Sequence, residues 1–270
     1  MASMEKTGAN GDNDVTPVTP PYGGNPQYNL HTPGEARLAA FGGELQPGLY
    51  KPTEHRKFAN PGPLGLSAFA LTTFVLSLIN LNTRDVTQPN IVLSLAFGYG
   101  GLVQLLAGMW EMAVGNTFGA TALSSYGGFW ISYAIVLTPG FDALAVYTDA
   151  ADSASALGFF LTGWFIFTFI LWLCTLRSTV MFSALFLTLD LAFLFLALGE
   201  FVASNGHAAT ALGLQKAGGV FGLLSAFVAW YNAFAGIADT SNSFFLIPVF
   251  HFPWSEKARE GRTKTERETV

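Results

Sequence analysis

Residues 179–202 read TVMFSALFLTLDLAFLFLALGEFV, and their only charged side chains are Asp190 and Glu200. Leu, Phe, Ala, Met and Val fill most of the other places, and no polar stripe recurs at helical spacing. A helix of about 20 residues spans roughly 30 Å, the thickness of a bilayer's hydrocarbon. A run this long and this apolar is read as a membrane-spanning helix. Working outward, five further stretches qualify: about Leu64 to Asn80, Ile91 to Val114, Phe118 to Thr138, Ala154 to Leu176 and Leu212 to Ala238, with Thr179 to Val202 as the fifth of six in chain order. The reading is an all-α bundle of six transmembrane helices.

Charge placement supports it. The 270-residue chain is 51% hydrophobic and 11% charged, with a mean hydropathy of +0.40. A soluble domain carries about 25% charged residues. Of its 13 Lys and Arg and 18 Asp and Glu, only ten lie between Asn60 and Ala238: Arg84, Asp85, Glu111, Asp142, Asp149, Asp152, Arg177, Asp190, Glu200 and Lys216. The others sit in two tails. Residues 1–59 are rich in Gly, Pro, Thr and Asn and cannot bury enough apolar surface to fold alone. They are read as a disordered cytosolic tail, with threonine–proline pairs at Thr16, Thr19 and Thr32 as candidate phosphorylation sites. Residues 239–270 are read as a second cytosolic tail.

Short connections at Gly115-Asn116-Thr117 and Arg177-Ser178 make their flanking spans antiparallel neighbours. The longest loop, Pro139 to Ser153, holds three aspartates and no Lys or Arg. Cytosolic loops collect Lys and Arg. With the N-terminus inside, the inner segments hold Lys51, Arg56, Lys57, Arg177, Lys257, Arg259, Arg262, Lys264 and Arg267. The outer loops keep Arg84, with Lys216 near the start of span six. Both termini are therefore expected on the cytosolic face.

Small and polar residues inside a span mark helix contact or a wet path. Span two has such a seam in Ser94, Gly98, Gly101, Gln104 or Leu105, Gly108, Glu111 and Gly115; span six has Gly218, Gly222, Ser225, Ala229, Asn232 and Gly236; span three has Thr121, Ser125, Gly128 and Ser132. Span four is Leu, Phe, Ile and Trp, and is expected to face lipid or another subunit. The glycines are read equally as close-packing devices. Gln104 and Asn232 are different, because a buried amide needs partners. Asp190 lies mid-span, where a carboxylate is either functional or a hydrogen-bonded structural group. Glu111 and Glu200 lie near span ends and are expected to snorkel.

Other chemistries find little support. Cys174 is the single cysteine, so no internal disulfide or CxxC site exists. The four histidines fall outside the spans, and none pairs with a Ser, Asp or Glu at triad or ligand spacing. No catalytic site, metal or cofactor is expected. No basic patch with interleaved aromatics points to nucleic acid.

Three runs carry a resemblance. Asn60-Pro61-Gly62-Pro63-Leu64-Gly65-Leu66 enters span one; Gln104 is followed by Ala107-Gly108-Met109-Trp110-Glu111 and then Gly115-Asn116-Thr117-Phe118-Gly119; Ser125-Tyr126-Gly127-Gly128-Phe129-Trp130 lies in span three. In this order and frame the chain resembles the acetate uptake transporter family, with its bacterial succinate–acetate permeases and fungal acetate/ammonium-export proteins. Gly62 departs from the family's usual Ala. Phe41-Gly42-Gly43 and Pro47-Gly48-Leu49 in the N-tail are similar to fungal members. The resemblance implies a six-helix protomer in the plasma membrane, a homohexamer, and one substrate path per protomer. Substrate path and signature motif together are expected to take in Asn60, Pro61, Pro63, Leu64, Gly65, Leu66, Gln104, Glu111, Asn116, Thr117 and Ser125, with Ala229 added from the small seam of span six. Phe69, Tyr126 and Leu189 are implied to form an apolar constriction.

The residues fit such a role. Asn60 is placed to cap span one, and a Pro at a helix start loses no hydrogen bond. The free amides there are expected to hold an anion at the cytosolic mouth. Driving one negative charge inward against 100 mV costs about 2.3 kcal/mol, whereas a carboxylate moving with a proton is electroneutral. The expectation is proton-coupled uptake of acetate, with propionate, formate, lactate and succinate as further candidates, by a carrier or a channel-like path. Asp190 is the proton-coupling candidate. Ammonium or ammonia conduction and a non-transporting membrane sensor are the alternatives.

Overall fold

The computed structural model describes residues 58–239 and 241–255, so the expectations for residues 1–57 and 256–270 lie outside the described residues. Six helices are long and apolar enough to cross a membrane: α1 Gly62–Asn80, α2 Asn90–Ala113, α3 Thr117–Leu137, α4 Ala150–Thr175, α5 Val180–Ser204 and α6 Ala208–Ile237. Among the described residues there is no sheet, only an isolated antiparallel bridge between Thr179 and His251. α6 packs between α5 and α1, α5 also packs on α4, and α3 packs on α2.

Side-chain caps set the starts of α3, α4 and α5. The Asp149 carboxylate accepts from Ala151 N–H at 2.9 Å, so α4 begins at Ala150 rather than near Ala154, and the loop before it is shorter than expected. An acidic residue in the first turn, Asp152, suits the positive end of the helix. Thr179 Oγ1 accepts from Phe182 N–H at 3.2 Å and fixes the start of α5.

The seam of α2 is only half as expected. Ser94 and Gly98 are exposed, whereas Val92, Ala96, Gly100, Gly101, Gln104, Ala107, Gly108 and Glu111 are buried. The reason is a π-helical stretch, Gly98–Val103, in which the wider turn takes up an extra residue and rotates the following face. Regular 3.6-residue counting runs through it out of phase. α3 likewise turns a different face inward from the one expected. Thr121 is exposed and Gly128 meets nothing, while Gly127 packs on the Leu105 backbone and Gly108 lies against the Ser124 backbone. A β-carbon at Gly108 would overlap that backbone.

After α6 the chain turns at Asp239, whose carboxylate accepts from the N–H groups of Ser241 and Asn242. It then returns along the helix ends. Val180 N–H donates to Phe250 O at 2.9 Å, the Trp254 indole donates to Leu176 O at 2.7 Å, and the Tyr231 hydroxyl donates to Pro248 O. These contacts strap the α4–α5 turn to the end of α6.

Candidate transport pathway

Two cavities lie inside the bundle, reached from opposite ends of the helices. The near cavity, about 190 Å³, is bounded by the start of α1 and the end of α2, with Asn60, Gly62, Glu111 and Asn116 at its mouth. The far cavity, about 230 Å³, is bounded by the end of α1 and the start of α6, with Asn80, Glu200 and Gln215 at its mouth. Their walls share two residues, Phe69 of α1 and Leu189 of α5. Tyr126 of α3 lines the near cavity beside them, its ring centroid 6.0 Å from that of Phe69. All three side chains are buried. Adding Phe182, Phe186 and Phe118 on the near side and Phe129 and Phe193 on the far side leaves an aromatic waist between two more polar mouths.

The near mouth is built by a chain of short local contacts. Gly115, at φ +84°, makes the turn out of α2. That places Asn116 as the cap of α3, its carbonyl accepting from Gly119 N–H at 3.0 Å, while its amide donates to Glu111 Oε2 at 2.7 Å. A β-carbon at residue 119 would strike the Asn116 amide and lie 3.0 Å from the Glu111 carboxyl carbon. One motif thus fixes turn, cap and carboxylate together. Glu111 is only 3% exposed and held by Asn116, so it does not snorkel as expected. At the other mouth Glu200 is half-buried and lines the far cavity.

The entry motif works differently from the expected anion site. Gly62 N–H is taken by Asn60 Oδ1 at 3.1 Å, Pro63 has no N–H, and Leu64 N–H bonds to Pro61 O at 3.2 Å. The first turn of α1 therefore offers no free amide to an anion. Asn60, Pro63 and Leu66 line the near cavity, but Leu64 is 49% exposed and points away. Gly65 packs on Leu123 instead of lining the space. Thr117 is exposed and Ser125 half-buried, and neither lines a cavity.

Gln104 is fully buried in the near cavity wall, and neither its oxygen nor its nitrogen has a protein partner. Asn232, which also lines the near cavity, donates within its own helix to Val228 O at 2.8 Å and across to Met181 O at 3.3 Å. Asp190 is buried, with Oδ1 unpartnered, and lies on neither cavity wall. Ala229 is fully buried within the core cluster. Residues that the sequence did not single out include Phe182, Leu185 and Phe186 in the near wall and Thr73, Tyr133 and Gln215 in the far wall. In a helix as apolar as α5, only the i, i+3, i+4 spacing from Leu189 back to Phe182 could have found the first three.

Residues 41–254 match the model of the GPR1/FUN34/yaaH family. Acetate permease A of Emericella nidulans is 65% identical over 92% of this chain and 85% of its own length. Ammonia transport outward protein 2 of Saccharomyces cerevisiae is 51% identical over 81% of this chain and 75% of its own. A solved structure of the bacterial acetate channel SatP superposes with a TM-score of 0.61 at 34% identity, covering 72% of this chain and 99% of that one. These relatives are named for transport, and the fold is shared with the channel. The resemblance read from the three motifs is borne out: the chain belongs to the GPR1/FUN34/yaaH family.

Proposed function

We propose that this protein moves acetate and other small monocarboxylates across the plasma membrane, each molecule crossing the waist as the neutral acid. One observation carries the reading: two cavities entered from opposite ends meet at Phe69 and Leu189, with Tyr126 alongside. A carboxylate entering this apolar waist would lose its hydration without gaining a partner, a cost far above that for the neutral acid. Gln104, with a free donor and a free acceptor on the near side, matches the two oxygens of a carboxylic acid. The names of the relatives point to the same substrate.

Uptake is then coupled to protons because the acid carries one, and Asp190 takes part in the proton movement. Formate passes the waist at least as easily, and propionate, lactate and succinate follow in order of increasing size. Both termini lie in the cytosol, which puts the Glu111 mouth inside and the Glu200 mouth outside. The protomer works within a homohexamer. Exposed Phe159, Ile166, Phe169 and Ile170 on α4 suit a surface against lipid or another copy.

A second reading, ammonia or ammonium conduction, is favoured by the likeness to the outward ammonia transporter. Purified protein in liposomes separates the two. Uptake of radiolabelled acetate above that of protein-free vesicles supports the first, and ammonium flux without acetate flux overturns it in favour of the second. A sensor that transports nothing predicts neither flux.

A further inference from the structure

The Tyr126 ring is held from behind. Its hydroxyl lies 2.9 Å from Thr168 Oγ1 of α4, both groups buried and either able to donate. Three rings back it up: Trp164 and Phe167 of α4, with centroids 6.1 and 5.8 Å away, and Phe186 of α5 at 6.3 Å. Phe69 touches it across the waist. No residue of α4 lines the near cavity, and α4 reaches the far one only through Leu157 and Leu161. A helix that gives the near cavity no lining residue thus holds the waist's one polar ring by a single side-chain hydrogen bond.

We propose that Thr168 is a positioning residue for the constriction, and that the Tyr126–Thr168 bond sets which acids pass. This rests on the proposed role of Tyr126 in the waist. A phenol buried in an apolar aromatic cluster keeps its hydroxyl where a partner satisfies it, because an unpaired buried hydroxyl is costly. With the bond intact the ring is tied back toward α4 and its edge fixes the aperture. Without it, whichever partner is removed, the ring is no longer tied to α4, and the nearest unfilled space it can turn into is the near cavity itself. Rotation of the ring toward that space changes the shape of the waist. Selectivity changes first, and transport of the smallest acid is affected less.

Thr168→Val removes the hydroxyl and keeps the branched shape; Thr168→Ser keeps the hydroxyl; Tyr126→Phe removes the other half of the bond. Initial uptake of labelled acetate and labelled lactate is measured for each purified variant in liposomes, with Leu189→Ala in parallel. A ratio of two substrates is independent of how much protein survives, so mere instability leaves it alone. The expected result for Thr168→Val is a lactate-to-acetate ratio shifted by about fivefold, the factor that one neutral hydrogen bond converts to. Tyr126→Phe gives a shift of the same sense, the double variant adds nothing to it, and Thr168→Ser restores the wild-type ratio. An unchanged ratio in both Thr168→Val and Tyr126→Phe, while Leu189→Ala shifts it, overturns the role of Thr168 and leaves the waist standing. If Leu189→Ala leaves the ratio unchanged as well, the waist assignment falls, and this proposal falls with it. Should Thr168→Val fail to assemble, Tyr126→Phe decides alone.

Discussion

Leu189 is the simplest place to test the waist, because its side chain faces both cavities. Leu189→Ala removes three heavy atoms from the narrowest wall. The expected result is uptake of bulkier acids, lactate or succinate, with acetate uptake retained; lower expression with an unchanged substrate range removes Leu189 from the waist. Ala229 tests the opposite change. It is fully buried, and enlarging it to Leu in a packed core costs about 1–3 kcal/mol or pushes α6 toward the path, so acetate uptake should fall. Asp190 is tested by pH. Asp190→Asn keeps the shape and loses the titration; with the rate divided by the concentration of undissociated acid, the pH dependence that is left should be flatter in this variant than in the wild type while the protein still assembles. A wild-type pH profile in that variant would leave Asp190 a structural group. How legible these residues were differs for each. Asp190 stood out because a carboxylate amid Leu and Phe is conspicuous. Gln104 stood out as an amide, but its lack of a protein partner is a property of space, invisible in a string. Leu189 came from the family resemblance alone, since one Leu in TLDLAFLFL is indistinguishable from the next by hydropathy.

The elements were nearly all readable, for a physical reason: bilayer thickness fixes helix length, so hydropathy alone finds the spans. Helix faces were harder. In α2 the count through Ser94, Gly98 and Gly101 lost phase at the π-helical turn, and no residue announces such a turn except the run Gly98-Tyr99-Gly100-Gly101. In α3 Thr121 faced outward and Ser125, Gly128 and Ser132 were only half-buried, because Gly127 and Gly128 are adjacent and only contact decides between them. The strap over the α4–α5 turn escaped notice because its hydrogen bonds use backbone carbonyls, which carry no sequence signature. The α2–α3 contact offers a matched pair of variants. Gly108→Ala places a methyl on the Ser124 backbone, whereas Gly163→Ala in α4 meets nothing within 4 Å. Overpacking costs about 1–3 kcal/mol, and Gly to Ala in a free helix position gains about 0.5–1 kcal/mol. Thermal unfolding in detergent should therefore fall for Gly108→Ala and hold or rise for Gly163→Ala. Equal effects would mean that α2 and α3 do not approach as closely as described.

For the whole molecule, orientation and coupling remain to be measured together. Tags at both termini should resist protease in sealed right-side-out cells and become accessible on permeabilisation; termini on opposite faces would remove one span from the count. Orientation matters because it sets which mouth meets the external acid. It also decides whether the buried Glu111 or the half-buried Glu200 is met first. The central claim is that the waist passes a neutral acid between two cavities. It is tested most directly by acetate uptake into liposomes holding the purified protein, with the membrane potential clamped at several values and the external pH varied. Flux through protein-free vesicles is subtracted at each point. The protein-dependent rate is predicted to follow the concentration of undissociated acid and to stay the same between zero and about 100 mV inside negative, since no net charge moves. A rate that follows total acetate and falls as the interior is made more negative would mean that the anion itself crosses, and would contradict the account.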